Sequence, residues 1–563
     1  MFDTVITGGL VVDGTGDAPT HTQIGITDGM IAEVGDDLGP ARQTIDAEGR
    51  VVAPGWVDVH THYDGQVTWD PELTPSSWHG ATTVVMGNCG VGFAPVRPGG
   101  HDFLIELMEA VEDIPGTALH EGIDWQWESF GEYLDALEAT PRAVDVAAQI
   151  PHVALRAYVM GQRAHEDATD AEVAEIAALV TDAARAGAVG FSTSRTILHN
   201  SKHGPIPGTR APDDEMRAIA DALGAAGGNR VFQMITDRYL VDPERSLLGE
   251  LAQRCGGPLT YTLAQVDFDP TGYRTALDDA TAWAAKGLRV APQVASRPTG
   301  MLFGLRSSLH PFIMHATYRT LARLPLAEQV ARLRDPEVRA QLLSEQPDSS
   351  NFVAVAITSR FHQIFRLGQE PDYEPPASAS AAAVASASGV TPQEVVLDWM
   401  LEDEGKAFLF APLAGFADGN LDSALEMMTH PTSVPGLGDG GAHCGLICDA
   451  SMTTYLLTHW VRDRDGERLS LEQAVHLQSQ RTAQLYGFTD RGTLEAGKRA
   501  DLNIIDMDRL RIAAPEMVND LPANGRRLIQ RAEGYDVTMV KGAVTFEDGV
   551  ATGTRPGGLV RAR

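Results

Sequence analysis

The feature that most constrains the fold is a series of short apolar and β-branched runs in the middle of the chain. Segments with helical periodicity separate the runs, a pattern typical of parallel βα units. The eight runs are GWVDVH (55–60), TTVVMG (82–87), AVDVAAQ (143–149), AVGFST (188–193), RVFQMI (230–235), PLTYTL (258–263), RVAPQV (289–294) and SVPGLG (433–438). Eight such units predict an α/β protein with a (β/α)8 barrel, whose active site lies at the C-terminal ends of the strands.

The two ends of the chain have a different pattern. FDTVITGGLVVDG near the start, and RGTLEAGKRADLNIIDMD and YDVTMVKGAVTFEDG near the end, alternate short β-branched runs with Gly and Asp. This alternation is typical of antiparallel hairpins. We therefore expect residues 1–54 and 485–563 to build one small β-domain, with the barrel of residues 55–484 inserted between its halves.

A long insertion, about residues 300–430, separates the seventh and eighth runs. It contains helical segments, and Thr391 with Glu394 forms a capping box that predicts the start of one of them. The run PPASASAAAVASASG has low complexity and predicts a linker or a mobile surface loop. Because the insertion joins two strands on the catalytic face, we expect it to border the barrel mouth, either as a lid or as a structural buttress.

Charge and cysteine content restrict the partners of the chain. Its formal net charge of −32 disfavours nucleic acid and anionic membrane surfaces, so we expect a small-molecule substrate, and self-association into a homo-oligomer stays open. Four cysteines in 563 residues are too few for a disulfide framework. The chain also opens on a strand pattern rather than on an apolar leader, so a cytoplasmic location is expected.

Two histidines and one cysteine follow the first two runs. His60 and His62 are two residues apart in VDVHTHYD, so their side chains lie on one face of the strand and can converge on one metal ion. The alternative is core packing, but an unpaired buried imidazole is costly. Cys89 closes the second run in VVMGNCGVG, where it is either a thiolate ligand or an apolar filler.

A carboxylate follows the last run. Asp439 lies between two glycines in VPGLGDGGAHCG, where it can bind a metal and exchange a proton with a water molecule. The alternative is an ordinary Asp-Gly turn. Its position at the end of the eighth predicted strand favours the catalytic interpretation.

HTHYD after APG, GNCG on the next strand, the Gly-flanked Asp and the closing RGTLEAGKRADLNIID resemble the amidohydrolase superfamily, in its N-acyl-D-amino-acid deacylase (D-aminoacylase) branch. This resemblance implies a (β/α)8 barrel fused to a β-sandwich made from both chain ends. It implies hydrolysis of an amide bond by a zinc-activated water. His60, His62 and Asp439 would bind zinc, Cys89 would bind or bridge, and Asp439 would also shuttle the proton.

The chain departs from this family pattern on the fifth and sixth strands, where family members carry one histidine each. Met234 and Leu263 occur near these positions instead. The four remaining groups suit one tetrahedral zinc ion, so we predict one ion rather than two. Substitute ligands would have to come from other histidines, namely His152, His199, His203 and His443.

Three further residues are predicted to contact the substrate. Arg195 and Arg297 follow strand ends and can pair with a substrate carboxylate, because a guanidinium matches it bidentately. His152 follows the third strand in a segment that resembles the family, which places it near the mouth. Two alternatives remain open: hydrolysis of a cyclic amide, lactone or ureido bond, and a degenerate family member that binds without catalysis.

Overall fold

The computed structural model describes residues 1–562 and their side chains, except the side chain of Phe352. An eight-stranded parallel sheet lies at its centre, with its strands in chain order from edge to edge. The strands are β1 Trp56–Asp58, β2 Ala81–Met86, β3 Asp145–Pro151, β4 Gly190–Arg195, β5 Val231–Thr236, β6 Leu259–Thr262, β7 Val290–Val294 and β8 Val434–Pro435. Each of the eight predicted runs overlaps one of these strands, so the predicted parallel α/β arrangement is confirmed.

The sheet curls so that its first and last strands approach each other just beyond their C-terminal ends. The amide of Asp439 donates to the carbonyl of His60 at 3.0 Å, and the amide of His62 donates to the carbonyl of Gly440 at 2.8 Å. A parallel bridge between Thr61 and Gly440 lies between these two bonds. The segments that follow β1 and β8 are therefore held side by side.

Helices connect the strands and extend into the insertion and the C-terminal part. They are α1 His101–Glu112, α2 Gly116–Gly122, α3 Phe130–Ala139, α4 His152–Met160, α5 Asp170–Ala186, α6 Asp213–Ala226, α7 Glu244–Cys255, α8 Gly272–Ala284, α9 Ala316–Leu321, α10 Leu326–Arg334, α11 Pro336–Ser344, α12 Phe352–Thr358, α13 Ala381–Ser388, α14 Pro392–Met400, α15 Asp422–Thr429, α16 Met452–Leu457, α17 Leu471–His476 and α18 Thr482–Leu485. None of these helices has the length and apolarity that crossing a lipid bilayer would require.

Both chain ends contribute strands to one mixed sheet. Its order is Leu10–Val11, Val51–Pro54, Leu502–Ile505, Tyr535–Val540, Ala543–Glu547 and Val550–Ala551. A second sheet holds Met30–Gly35, Gln23–Thr27, Phe2–Thr7 and Ala41–Asp46. Apolar residues from both ends, among them Ile24 and Leu502, are buried in one cluster. Residues far apart in sequence therefore share one core.

The insertion has its own hydrophobic cluster, which includes Phe303, Leu333 and Val396. Its strands are Thr299–Phe303, Phe365–Arg366 and Leu409–Ala414. Short two-stranded pairs elsewhere are Asn200–Ser201 with Gly204–Pro205, Arg511–Ile512 with Ala532–Glu533, and Glu516–Leu521 with Gly525–Ile529.

The prediction of a linker or mobile loop for the Ala/Ser-rich run is wrong. Residues 381–388 form α13, which begins at the N-cap Ser380 and ends at Gly389 in the left-handed region. Ala381 and Ala385 on this helix are buried. Alanine has the highest helix propensity, and its small side chain allows close packing, so low complexity here does not mean disorder. The capping box at Thr391 is present as predicted.

Candidate active site

Three potential metal ligands lie close together at the C-terminal edge of the eight-stranded sheet. The ligand atoms of His60, His62 and Cys89 all lie within 4.8 Å of one another. His60 Nε2 is 3.3 Å from Cys89 Sγ. All three side chains are buried. The structure therefore brings together the two histidines and the thiol that the sequence suggested.

Asp439 completes this group from the opposite edge of the sheet. Its Oδ1 is 3.3 Å from His60 Nε2 and 3.6 Å from His62 Nε2. The hydrogen bonds between the segments after β1 and β8 place the carboxylate there. Four donors of the types that zinc prefers thus surround one small region.

The backbone is strained at this point. Cys89 has φ of 55° and Asp439 has φ of 46°, in the left-handed region that favours glycine. Leu437 and His443, in the same loop as Asp439, also have positive φ. Such conformations cost energy and cluster at functional sites, where the surrounding structure holds them. The strain supports a functional role for the thiol and the carboxylate.

Glutamine side chains on β7 and β5 contact His60 and the backbone of Cys89. Gln293 Oε1 on β7 lies 2.7 Å from His60 Nδ1, which leaves Nε2 to face Cys89 and Asp439. Gln233 Oε1 on β5 accepts from the amide of Cys89 at 3.0 Å. These contacts fix the orientation of the imidazole and of the strained turn.

The electrostatics of the site suit a bound cation. Burial lowers the pKa of His62 to about 4, so its imidazole is neutral at pH 7 and has a free lone pair. Burial raises the pKa of the Cys89 thiol, and the carboxylates of Glu112 and Asp439 raise it further. Burial by itself raises the pKa of Asp439, but His60, His62 and His443 outweigh it and hold that pKa below its usual range.

Two more ionisable groups belong to this region, and Glu112 was not suggested by the sequence. Glu112 Oε1 is 3.4 Å from His62 Nδ1, and its Oε2 is 3.5 Å from His443 Nε2. His443 Nε2 is 3.9 Å from Asp439 Oδ2. Glu112 is the last residue of α1, in a long connection between β2 and β3. The feature that marks it as a functional residue is the burial of a glutamate at a helix end, which only the structure reveals.

The other candidate ligands differ in how near they lie to the cluster, and His199 is near enough for His443 and His62 to act on its pKa. His199 Nδ1 is 2.9 Å from Ser194 Oγ, and burial and then His443 and His62 lower the pKa of His199 to about 3. His203 is half exposed beside Glu106. Asp64 accepts from the amide of Gly87 at 3.1 Å, which fixes the end of β2.

The fifth and sixth strands present apolar side chains where family members would offer imidazoles. Met234 on β5 and Leu263, just after β6, are both fully buried. Among residues 1–562, the ligand cluster is therefore built from segments after β1, β2 and β8.

The three predicted substrate-binding residues are engaged by protein groups. Arg195 Nε pairs with Glu244 at 2.8 Å, and Arg195 Nη2 pairs with Asp213 at 3.1 Å. His152 contacts Thr193 and Glu215, each at 2.8 Å, through its two ring nitrogens.

Arg297 is buried between an acid and an aromatic ring. Its guanidinium pairs with Asp449 at 3.1 Å and lies 3.8 Å from the ring centre of Tyr373. Within the described part of the chain, none of the three makes a hydrogen bond or ion pair with the ligand cluster. Their role in substrate binding stays a prediction.

Comparison with known proteins gives consistent relatives. N-acyl-D-aspartate deacylase of Alcaligenes xylosoxydans xylosoxydans is 27% identical over 562 residues, which cover 99% of this chain and 94% of that one. Among solved structures, a D-aminoacylase with a binuclear metal centre superposes with a TM-score of 0.67 at 23% identity over 100% of both chains. N-acyl-D-glutamate deacylase from Bordetella bronchiseptica, complexed with zinc and a phosphonate inhibitor, gives 0.66 at 24% identity, also over 100% of both chains.

The histidine pair, the thiol and the carboxylate at the C-terminal edge of the parallel sheet have the ligand types and the position of a catalytic metal site in an α/β enzyme. The amidohydrolase family model matches residues 43–546, so the chain belongs to the amidohydrolase family. It is a hydrolase that acts on carbon–nitrogen bonds other than peptide bonds. The resemblance stated from the sequence is thereby confirmed.

Proposed function

We propose that the chain hydrolyses an N-acyl amino acid, in particular an N-acyl-D-amino acid, with one zinc ion held by His60, His62, Cys89 and Asp439. The observation that carries this proposal is the convergence of the first three ligand atoms within 4.8 Å, with Asp439 facing both histidines. The relatives named above act on N-acyl-D-amino acids, which supports the substrate class.

The spacing of the donors suits a metal ion. Metal–ligand distances of about 2.0–2.3 Å place tetrahedral ligands about 3.3–3.8 Å apart. The distances of His60 Nε2 to Cys89 Sγ and of Asp439 Oδ1 to the two imidazoles are 3.3–3.6 Å. These spacings are long for nitrogen–oxygen hydrogen bonds but match ligands that share an ion. Apolar Met234 and Leu263 favour one ion over two.

The side chains define the rest of the chemistry. A zinc ion bound here would supply Lewis acidity, which polarises the scissile carbonyl and lowers the pKa of water. Asp439 is ionised at neutral pH, so its carboxylate can accept the proton of the attacking water and return it to the leaving nitrogen. His443 lies between Asp439 and Glu112 and is partly exposed, so its imidazole can exchange protons with Asp439 and with solvent.

We infer a complete architecture that serves this site. The backbone bonds between the segments after β1 and β8 support a closed (β/α)8 barrel over residues 55–484. The buried cluster shared by the terminal sheets supports a β-sandwich made of residues 1–54 and 485–563. Residues 300–430 then form a helical insertion before the last barrel strand, at the rim of the cleft.

A substrate screen with metal analysis tests the proposal. Purified protein is assayed with N-acyl-D- and N-acyl-L-amino acids, lactams and ureido acids, and zinc is measured in the same sample. We expect amine release from N-acyl-D-amino acids, and loss of both metal and activity in His60→Ala. Turnover only of ureido or lactam substrates would contradict the substrate class, and turnover by metal-free protein would contradict the mechanism.

A further inference from the structure

Glu112 has a buried carboxyl group without a hydrogen-bond partner among the described residues. Its side chain is 1% exposed, and neither oxygen accepts a hydrogen bond from any residue within 1–562. Burial, and then the carboxylates of Asp439 and Asp64, raise the pKa of Glu112, because a buried carboxyl group is costly to ionise unless a cation or donors compensate it. Its two oxygens instead face two imidazoles, Oε1 toward His62 Nδ1 and Oε2 toward His443 Nε2. This arrangement implies a role at the metal site.

Hydrogen bonds of Glu112 and of the residue after it fix the position of this end of α1. Its carbonyl accepts a hydrogen bond from the amide of His443. The next residue, Asp113, accepts from the amide of Gly445 at 3.1 Å and from Ser308 Oγ at 2.6 Å. The C-terminal end of α1 is therefore attached to the loop that carries Asp439.

The two histidines of the pair are oriented in the same way: Nε2 faces Asp439, and Nδ1 faces an oxygen of another side chain. Each turns Nε2 toward Asp439 Oδ1, at 3.3 Å for His60 and 3.6 Å for His62. His60 Nδ1 faces Gln293 Oε1. His62 Nδ1 is buried and has no hydrogen-bond partner among the described residues, and Glu112 Oε1 lies 3.4 Å away. Histidine ligands usually donate their second ring N–H to a carboxylate or carbonyl, which fixes the tautomer.

We propose that Glu112 is the positioning residue of the metal site: it accepts the Nδ1–H of His62, so that His62 offers Nε2 to the ion, and it holds His443 beside Asp439. The proposal rests on the metal site put forward above. It also gives both buried carboxyl oxygens of Glu112 a role, because the imidazoles of His62 and His443 lie 3.4 and 3.5 Å from them.

Two substitutions test this role by metal binding rather than by turnover alone. Glu112→Leu removes the acceptor, and Glu112→Gln keeps an acceptor but removes the charge. Glu109→Gln is the matched control, because Glu109 lies on the exposed face of the same helix and accepts only from the amide of Gly116. Zinc affinity is measured by competition with a chromophoric chelator, and folding is checked by circular dichroism.

We expect zinc to bind about 100-fold more weakly to Glu112→Leu and about 10-fold more weakly to Glu112→Gln, with no change in Glu109→Gln. The visible spectrum of cobalt-substituted Glu112→Leu should also change, because His62 loses its fixed orientation. Folded Glu112 variants with wild-type affinity and an unchanged cobalt spectrum would overturn the positioning role alone. If Glu112→Leu does not fold, the Glu112→Gln affinity decides. A wild-type protein that binds no metal would overturn the metal site itself.

Discussion

Replacing Asp439 with Asn separates metal binding from proton transfer. The amide has almost the same shape as the carboxylate, and its oxygen can still face His60 and His62 at the 3.3 and 3.6 Å seen for Oδ1. It cannot accept a proton from the attacking water. Because His60, His62 and Cys89 remain, we expect the variant to keep most of its metal and to lose most of its rate.

The size of the loss follows from the role of the carboxylate. A positioned acid–base group contributes a factor of about 10²–10⁴ to the rate, or about 3–5 kcal/mol of transition-state stabilisation. The pKa of Asp439 is held below its usual range, so the wild-type group is ionised at pH 7 and the whole effect is available for removal. We expect kcat to fall by that factor, with a smaller change in KM.

The assay measures kcat, KM and zinc content on the same preparations of wild type, Asp439→Asn and Asp508→Asn. Asp508 lies in an exposed turn of the C-terminal part and controls for the loss of one charge. An Asp439→Asn variant that retains its zinc and at least about a third of the wild-type kcat would refute the proton-shuttle role, since removal of such a group costs at least about 10².

Three further predictions concern the thiol, the terminal sheets and a buried histidine. Cys89→Ala should bind zinc more weakly, because it removes one of four donors, and unchanged affinity in equilibrium dialysis would exclude the thiolate as a ligand. Removing residues 493–563 should make the chain insoluble, since Leu502 and Met539 cover apolar N-terminal residues; a soluble, active truncation would contradict the shared core. Burial lowers the pKa of His79 from 6.5 to about 4, so this imidazole binds a proton more tightly in the unfolded chain than in the folded chain. The free energy of unfolding should then fall by about 3 kcal/mol as the pH drops from 6.5 to 4. This free energy is measured by urea unfolding at each pH, and an equally large fall in His79→Gln would contradict the assignment to His79.

The sequence was sufficient to predict the elements that carry the site. Buried strands have a distinct composition, so all eight could be located, and the spacing of His60 and His62 puts both side chains on one face of the extended segment that follows β1. Asp439 could be placed opposite them because parallel strands end at one edge. These inferences use short-range patterns and a general rule of topology.

Other parts of the site depend on contacts that no local pattern encodes. Glu112 reaches His62 and His443 from a helix in a long connection, and its position depends on bonds to a loop more than 300 residues away. The carboxylate partners of Arg195 and Arg297 lie on other elements, which strand position alone does not reveal. The Ala/Ser-rich segment was misassigned because composition does not report whether a helix finds a surface on which to pack.

Metal stoichiometry is the most direct test of the central claim. Elemental analysis of the purified chain, combined with amide hydrolysis by the same sample, is expected to give about one zinc ion per chain, since the four donors surround a single small region. Both the ion and the activity should be lost in His60→Ala. Two ions per chain at full occupancy, or full activity without any metal, would contradict the single site formed by His60, His62, Cys89 and Asp439.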